Sequence, residues 1–170
     1  MSWQDYIDNY LVNFTDPNKG TTAYNICESG ALCGNQDGTI WASTPGFKLG
    51  NEEVEIEKDD GSGTYKTNLN EFNNLINAFS NKGVCTAVGG IRLNGEKYFI
   101  VSFDEDRQIL YLKKSGGGAA VAKSNLAFAI GTFSSSKKLK NFHGQDEPQN
   151  PGMTNRVVEE LQAFLTANNL

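Results

Sequence analysis

The chain offers little that could make or break a covalent bond. Its single histidine, His143, lies in SSSKKLKNFHGQDEPQN (134–150), a polar stretch without periodicity that predicts a long exposed loop. A general base must be held beside its nucleophile, and nothing there would hold it. The run Lys114-Ser115-Gly116-Gly117-Gly118 offers backbone N–H groups of the kind a phosphate uses, which leaves open a small sensor or enzyme domain with a phosphorylated ligand near Ser115–Gly118. That run lacks the GxxxxGK[ST] spacing and the helix that should follow, so a turn between two strands is the plainer reading. Asp104-Glu105-Asp106 and Asp59-Asp60 lack the alternating ligand positions of a calcium loop and read as solvated turns. Cys27, Cys33 and Cys85 have neither CxxC spacing nor histidine partners, which predicts reduced, mostly buried thiols. The expectation is a non-enzyme with no catalytic residue, no metal and no cofactor.

Binding chemistry is better represented. Trp3 stands near the N-terminus, Tyr6 follows three residues later, and Trp41 lies in a short β-prone run before Ser-Thr-Pro-Gly. Aromatics at helical or strand spacing usually belong to the core. An aromatic at a chain end, where backbones fray, instead needs a docking site or a partner. Exposed aromatic shelves of this kind receive proline-rich peptides, whose polyproline II form loses little entropy on docking. Lys137, Lys138 and Lys140 form a small basic cluster, of a type that more often faces solvent than a phosphoinositide headgroup.

The elements that must position these residues are legible as periodicities. Ser2 and Asp5 have capping-pair spacing, and Trp3, Tyr6, Ile7, Tyr10, Leu11 and Phe14 recur at helical spacing, predicting a helix over 3–14. Pro151 suits a first helical turn, with Val157, Val158, Leu161, Phe164 and Leu165 as an apolar stripe beyond it. A third helix is expected over 68–80. Short strands are expected at 23–27, 39–43, 85–88, 91–93, 97–103, 108–112, 119–122 and 126–133, with close turns that favour an antiparallel meander. Residues 52–68 alternate polar and apolar types around Asp60-Gly61 and predict a protruding acidic hairpin. The plan is α+β, a central antiparallel sheet with flanking helices.

With 170 residues, 38% of them hydrophobic, one domain spanning 1–170 is expected. A net charge of −5 argues against wholesale binding to nucleic acid or an anionic membrane. The sequence has no apolar run near the roughly 20 residues that cross a bilayer and no signal-peptide layout, so an intracellular protein is expected.

The residues also resemble a known family. Ser2-Trp3-Gln4-Asp5-Tyr6-Ile7-Asp8-Asn9 is similar to the N-terminal signature of profilins. Gly38-Thr39-Ile40-Trp41-Ala42, Gly90 to Tyr98 (GIRLNGEKY) and Lys113-Lys114-Ser115-Gly116-Gly117 resemble that family's sheet motifs. Pro151-Gly152-Met153 through Val157-Val158-Glu159-Glu160-Leu161 to Phe164-Leu165 resembles its closing helix. The resemblance implies the profilin fold, with both terminal helices on one face of the sheet, and a cytoplasmic, cytoskeleton-associated monomer that binds monomeric actin and proline-rich proteins such as formins, regulating polymerisation. It implies a poly-proline groove at Trp3, Tyr6, Trp41, Phe164, Leu165 and Leu170. Phe164 stands where the family has His or Tyr, and Leu170 where a terminal Tyr is common. It implies actin contacts at Val88, Lys97, Phe99, Ile100, Val101, Lys114, Gly152, Asn155, Arg156 and Glu160, with Ser102 replacing a common basic residue. Phosphoinositides are a further implied ligand, through Lys97, Lys113 and Lys114. The acidic hairpin resembles one in apicomplexan profilins, whereas 134–150 has no counterpart in the family pattern.

Overall fold

Two residues set the entry of the chain. In the computed structural model, which describes residues 2–170, Asp5 N–H donates to Ser2 Oγ at 3.3 Å and Ser2 N–H donates to Asp5 Oδ2 at 2.8 Å, a closed capping box. Helix α1 follows, α-helical over Trp3–Tyr6 and π-wound over Ile7–Val12, and it ends with Asn13 N–H donating to the Asp8 carbonyl. The next elements are β1 (Phe14–Thr15), β2 (Thr22–Ala23), β3 (Ser29–Gly34), β4 (Ile40–Ser43), β5 (Asn51–Glu57), β6 (Thr64–Asn70) and α2 (Glu71–Ser80). They are followed by β7 (Ile91–Leu93), β8 (Glu96–Asp104), β9 (Ile109–Lys114), β10 (Gly117–Lys123), β11 (Ala127–Ser134), β12 (Lys138–Lys140), β13 (Asp146–Pro148) and α3 (Pro151–Ala167). Asn150 caps α3 by accepting from Met153 N–H at 3.0 Å, with Pro151 in the first turn where its missing N–H costs nothing.

Seven strands form one antiparallel sheet in the order β4-β3-β11-β10-β9-β8-β7. Alternation splits its side chains between two cores. Ile109, Ala120, Ala122, Ala127 and Ala129 turn toward α1 and α3, while Leu110, Leu112, Val121, Phe128 and Ile130 turn toward α2. Both terminal helices therefore lie on one face, as the profilin resemblance implies.

Four segments differ from the sequence reading. SGALCG is a central strand, β3, although its glycines read as turns. Gly30 pairs directly with Gly131 of β11, and the missing side chains let the helices approach. A Cβ on Gly30 would lie 2.7 Å from Leu11 Cδ1, and one on Gly131 2.8 Å from Val158 Cγ2. Residues 23–27 are not a sheet strand beyond Ala23, because the Ile26 and Cys27 N–H groups instead donate to the Val12 and Leu11 carbonyls at the end of α1. Residues 85–88 are a loop whose backbone is held by helix α2: Thr86 N–H donates to Asn77 Oδ1, and Asn74 Nδ2 donates to the Val88 and Gly90 carbonyls. The stretch 134–150 contains the short hairpin β12–β13, pinned by buried Leu139 and by Gln149, which donates to the Asn25 carbonyl and accepts from Ser134 N–H. His143 sits exposed at its tip.

Helix α2 starts at Glu71, since Asn68–Asn70 complete β6 and Asn70 then accepts from Asn73 N–H as the cap. The acidic segment forms the two-stranded ladder β5–β6, with Glu53, Glu55 and Glu57 exposed on one side and Val54 and Leu69 buried on the other. Among the described residues no helix is long and apolar enough to cross a membrane.

Candidate functional site

The aromatic residues form a continuous stripe. Trp3 lies 4.8 Å from Trp41 and 5.7 Å from Tyr6 between ring centroids, and Tyr6 lies 5.3 Å from Phe164. Tyr10 extends it, 5.8 Å from Phe164 and 6.5 Å from Tyr6. All five side chains are half-buried, resting on the core with one side open. Two local distortions occur along it. The winding of α1 widens from α to π directly after Tyr6, so that Tyr10 lies in the π-wound part. In β4 the register slips so that Leu32 faces Ala42 and Cys33 faces Ile40, leaving Trp41 as the extra residue of a β-bulge, which re-aims its ring toward Trp3.

The stripe keeps its polar atoms free. The indole N–H groups of Trp3 and Trp41 and the hydroxyls of Tyr6 and Tyr10 make no hydrogen bond among the described residues. Flat apolar planes carrying unused donors suit a ligand that has apolar rings and bare carbonyls. Of the other groove residues expected, Leu165 is wholly buried in the core and cannot touch a ligand. Leu170 is half-buried, its N–H donating to the Leu165 carbonyl and its carbonyl accepting from Asn125 N–H, so it closes the end of α3. Tyr10 was not assigned to the groove from sequence, although its four-residue step from Tyr6 was visible.

A second surface lies at the far end of the same sheet face. Strand β8 slips between Ile100, which faces Leu112, and Ser102, which faces Tyr111, making Val101 the extra residue of another bulge. Phe99 and Val101 are 58% and 59% exposed, far more than large apolar side chains on a solvated sheet need be. Val101 lines a concavity of about 380 Å³ whose walls also include Lys113, Phe133, Pro151 and Asn155. Lys97 reaches over the Phe99 ring at 5.4 Å, and Lys113 pairs across from Phe99. Phe133 and Pro151 were not expected there; both lie in runs that read simply as strand and helix start.

The remaining residues of the expected actin set are placed elsewhere. Ile100 points to the α2 side, packed against that core. Lys114 also faces away from Phe99, its ammonium bonded to Glu96 and lying over the Tyr98 ring. Of the three expected phosphoinositide lysines, Lys97 and Lys113 therefore share a face and Lys114 does not. Val88 is exposed in the loop after α2, where Gly89 abuts Leu69 of the acidic hairpin. Gly152 is exposed in the first turn of α3 beside Pro151. Arg156 and Glu160 occupy the flank of α3 that faces α1. Arg156 donates to Asp16 Oδ2 at 3.1 Å and stacks on Phe142 at 4.9 Å, and Glu160 stands beside Tyr10.

Electrostatics adds no reactive group. Burial pushes the Cys27 and Cys33 thiols up to about 12, so both stay protonated. Tyr111 is raised to about 12, by burial and then by donating to Glu159 Oε1 at 2.6 Å, a bond that fixes α3 on β9. Tyr10 is raised by burial, and further by the negative charge of Glu160. The glycine run is a tight hairpin turn: Ser115 and Gly116 join β9 to β10, and Gly117 and Gly118 pair with Lys114 and Lys113. No helix follows, so the run does not form a phosphate cradle.

Comparison with known proteins agrees with this layout. The family model described as profilin matches residues 1–170. A profilin from Tetrahymena pyriformis is 43% identical over 147 residues, covering 85% of this chain and 90% of that protein. Acanthamoeba castellanii profilin IA superposes with a TM-score of 0.63 at 22% identity, over 99% of this chain and all of that one. Mouse profilin IIa, solved in complex with a double repeat from the FH1 domain of mDia1, superposes with a TM-score of 0.54 at 14% identity over the full length of both chains. A match across all 170 positions, together with that relative, means that the chain belongs to the profilin family.

Proposed function

We propose that this chain binds monomeric actin on the Phe99–Val101 face and a proline-rich segment of a formin-type partner on the Trp3–Trp41 stripe, so regulating polymerisation without chemistry of its own. Membership of the profilin family makes it an actin-binding protein, and the mouse relative was solved with a proline-rich formin segment. The observation that carries the reading is the separation of two unlike surfaces on one rigid sheet: an aromatic stripe with unused donors beside α1, and an exposed apolar patch rimmed by Lys97 and Lys113 beside the start of α3. An apolar centre with charges around it desolvates well and fixes register. Residues 1–170 act in this reading as one cytoplasmic, cytoskeleton-associated domain, with the 52–68 hairpin and the 134–150 segment as elaborations. A phosphoinositide headgroup would draw on Lys97 and Lys113 and compete with actin for that face.

The test is a pair of titrations on the same sample. Intrinsic tryptophan fluorescence followed against poly-L-proline reports the stripe, because both tryptophans of the chain lie in it. Co-migration with monomeric actin reports the other face. Saturable binding in both supports the reading, whereas a folded protein that binds neither overturns it.

A further inference from the structure

Beyond Tyr10 the stripe does not stop. Tyr10 lies 5.7 Å from Phe14, and past it opens a concavity of about 410 Å³ whose walls include Asn9, Tyr10, Pro17, Tyr24 and Glu160, with Phe14 beneath. Tyr24 is 49% exposed, yet its backbone is pinned, its N–H and carbonyl exchanging hydrogen bonds with Lys140 at 2.9 and 3.0 Å. Its ring is thus held out at the wall by a fixed main chain.

Glu160 has no ion-pair partner among the described residues. Arg156, one helical turn away, is committed to Asp16 and to the Phe142 and Phe14 rings. Lys140 bridges to Tyr24 through its backbone and does not line the cavity, whose lining holds no lysine or arginine among the described residues. The cavity therefore offers a free carboxylate beside Tyr10 and a second tyrosine, Tyr24, in its lining, a combination that favours a guanidinium or ammonium group through charge and through the ring faces.

Resting on the reading of the stripe as a proline-peptide groove, we infer that the groove continues into this cavity and that the chain prefers proline-rich peptides flanked by an arginine or lysine. The ring-to-ring path from Trp41 through Trp3 and Tyr6 to Tyr10 is about 17 Å, which a polyproline II segment of roughly six residues spans at about 3.1 Å each. The basic side chain then follows the proline run at Glu160, and the free Tyr10 hydroxyl donates to a peptide carbonyl near the junction.

The experiment compares octaproline with octaproline carrying one arginine at its N-terminal or C-terminal end, titrated against the full chain by tryptophan fluorescence at low and moderate salt. The expected result is that arginine at one of the two ends tightens binding about fivefold at low salt, and less as salt rises. In Glu160→Gln and in Tyr24→Ala, with melting temperatures confirming the fold, the ratio of the two affinities falls toward one. A ratio of one in the unaltered chain, with octaproline still bound, overturns the extension and leaves the groove standing. A ratio retained in Glu160→Gln also overturns it, since attraction to the net negative charge would then explain the preference. Failure of octaproline to bind at all overturns the groove reading, and the extension with it.

Discussion

Trp41 and Val101 hold equivalent irregularities at opposite ends of one sheet: each is the unpaired extra residue of a β-bulge, Trp41 in β4 and Val101 in β8. A bulge re-aims a side chain that the pleat would otherwise place by alternation. Here one bulge delivers an indole to the aromatic stripe, and the other delivers an isopropyl group to the exposed apolar patch. The two surfaces are thereby fixed on a common scaffold with the α3 helix between them.

Trp3→Ala removes the ring that touches both Trp41 and Tyr6 and so detaches Trp41 from the rest of the stripe. Affinity for poly-L-proline should fall by ~2 kcal/mol or more, as for a central aromatic anchor, while actin co-migration stays near the unaltered level. Calorimetric titration with both partners checks it. Equal loss of both activities would mean that the substitution unfolds α1 instead.

Phe99→Ser should do the reverse. The side chain is mostly exposed and contributes little to the core, so the unfolding midpoint should move by less than about 0.5 kcal/mol in equivalent stability. Actin affinity should drop by ~2 kcal/mol with proline binding retained. Lys113→Ala, on the same face, should weaken actin binding and make it less salt-sensitive. Lys114→Ala, whose ammonium is engaged with Glu96 on the opposite face, should not. Sedimentation with monomeric actin across a salt series separates the two lysines.

Both terminal helices, the acidic hairpin and most of the sheet were legible in the sequence, because caps and apolar periodicity act locally, whereas the β12–β13 hairpin was not. Trp3, Tyr6 and Trp41 were legible from their types and positions as an aromatic shelf, whereas Phe164 joined them only through the family resemblance, since its contact with Tyr6 depends on the docking of α3 and that of Trp41 with Trp3 on a bulge, which no spacing rule announces. Leu165 was misplaced by one step around the helix, from the groove into the core. Lys114 was misplaced by one step along a strand, where a shift of one residue exchanges faces. Strand β3 was lost because Ser-Gly-Ala-Leu-Cys-Gly shows turn-forming glycines and no alternation. Its glycines serve the packing of helices above, which is a tertiary requirement.

Gly131→Ala tests that packing. The new methyl would lie 2.8 Å from Val158 Cγ2 and 3.1 Å from Cys27 Sγ, lifting α3 from the sheet. Overpacking of this kind costs about 1–3 kcal/mol. Gly30→Ala should cost at least as much, since its methyl also meets the Ile130 carbonyl oxygen at 2.9 Å, a backbone atom that cannot rotate away. Urea denaturation measures both, and a cost below about 0.5 kcal/mol at either position would show that the helices have room to move.

Glu71 should leave a signature in the pH dependence of stability. Its side chain is buried at the start of α2, accepting from Gly50 N–H at 3.1 Å and Gly95 N–H at 2.9 Å, so one carboxyl ties the acidic hairpin to the β7–β8 turn. Burial raises its pKa above the ordinary 4.5, the two N–H donors oppose that rise, and the neighbouring Glu52 carboxyl adds to it. A carboxyl with a raised folded-state pKa binds its proton more tightly in the folded chain. Its contribution is therefore fully present below 4.5 and is lost as pH rises through the raised value. Asp16, Asp37, Asp60 and Asp104 have the opposite sign: hydrogen bonds and, for Asp16 and Asp104, arginine neighbours lower them from 3.8. Their contribution is lost only as pH falls below that value, so the two windows do not overlap. Glu71→Gln cannot titrate, and its amide nitrogen cannot accept from either glycine, so the variant should be less stable at every pH. The gap to the unaltered chain should nevertheless narrow as pH rises from 4.5 toward 7, because only the unaltered chain then carries the buried charge. Parallel stability curves from urea melts across that range would mean that the folded and unfolded chains hold the Glu71 proton equally, so that its pKa is not raised by folding.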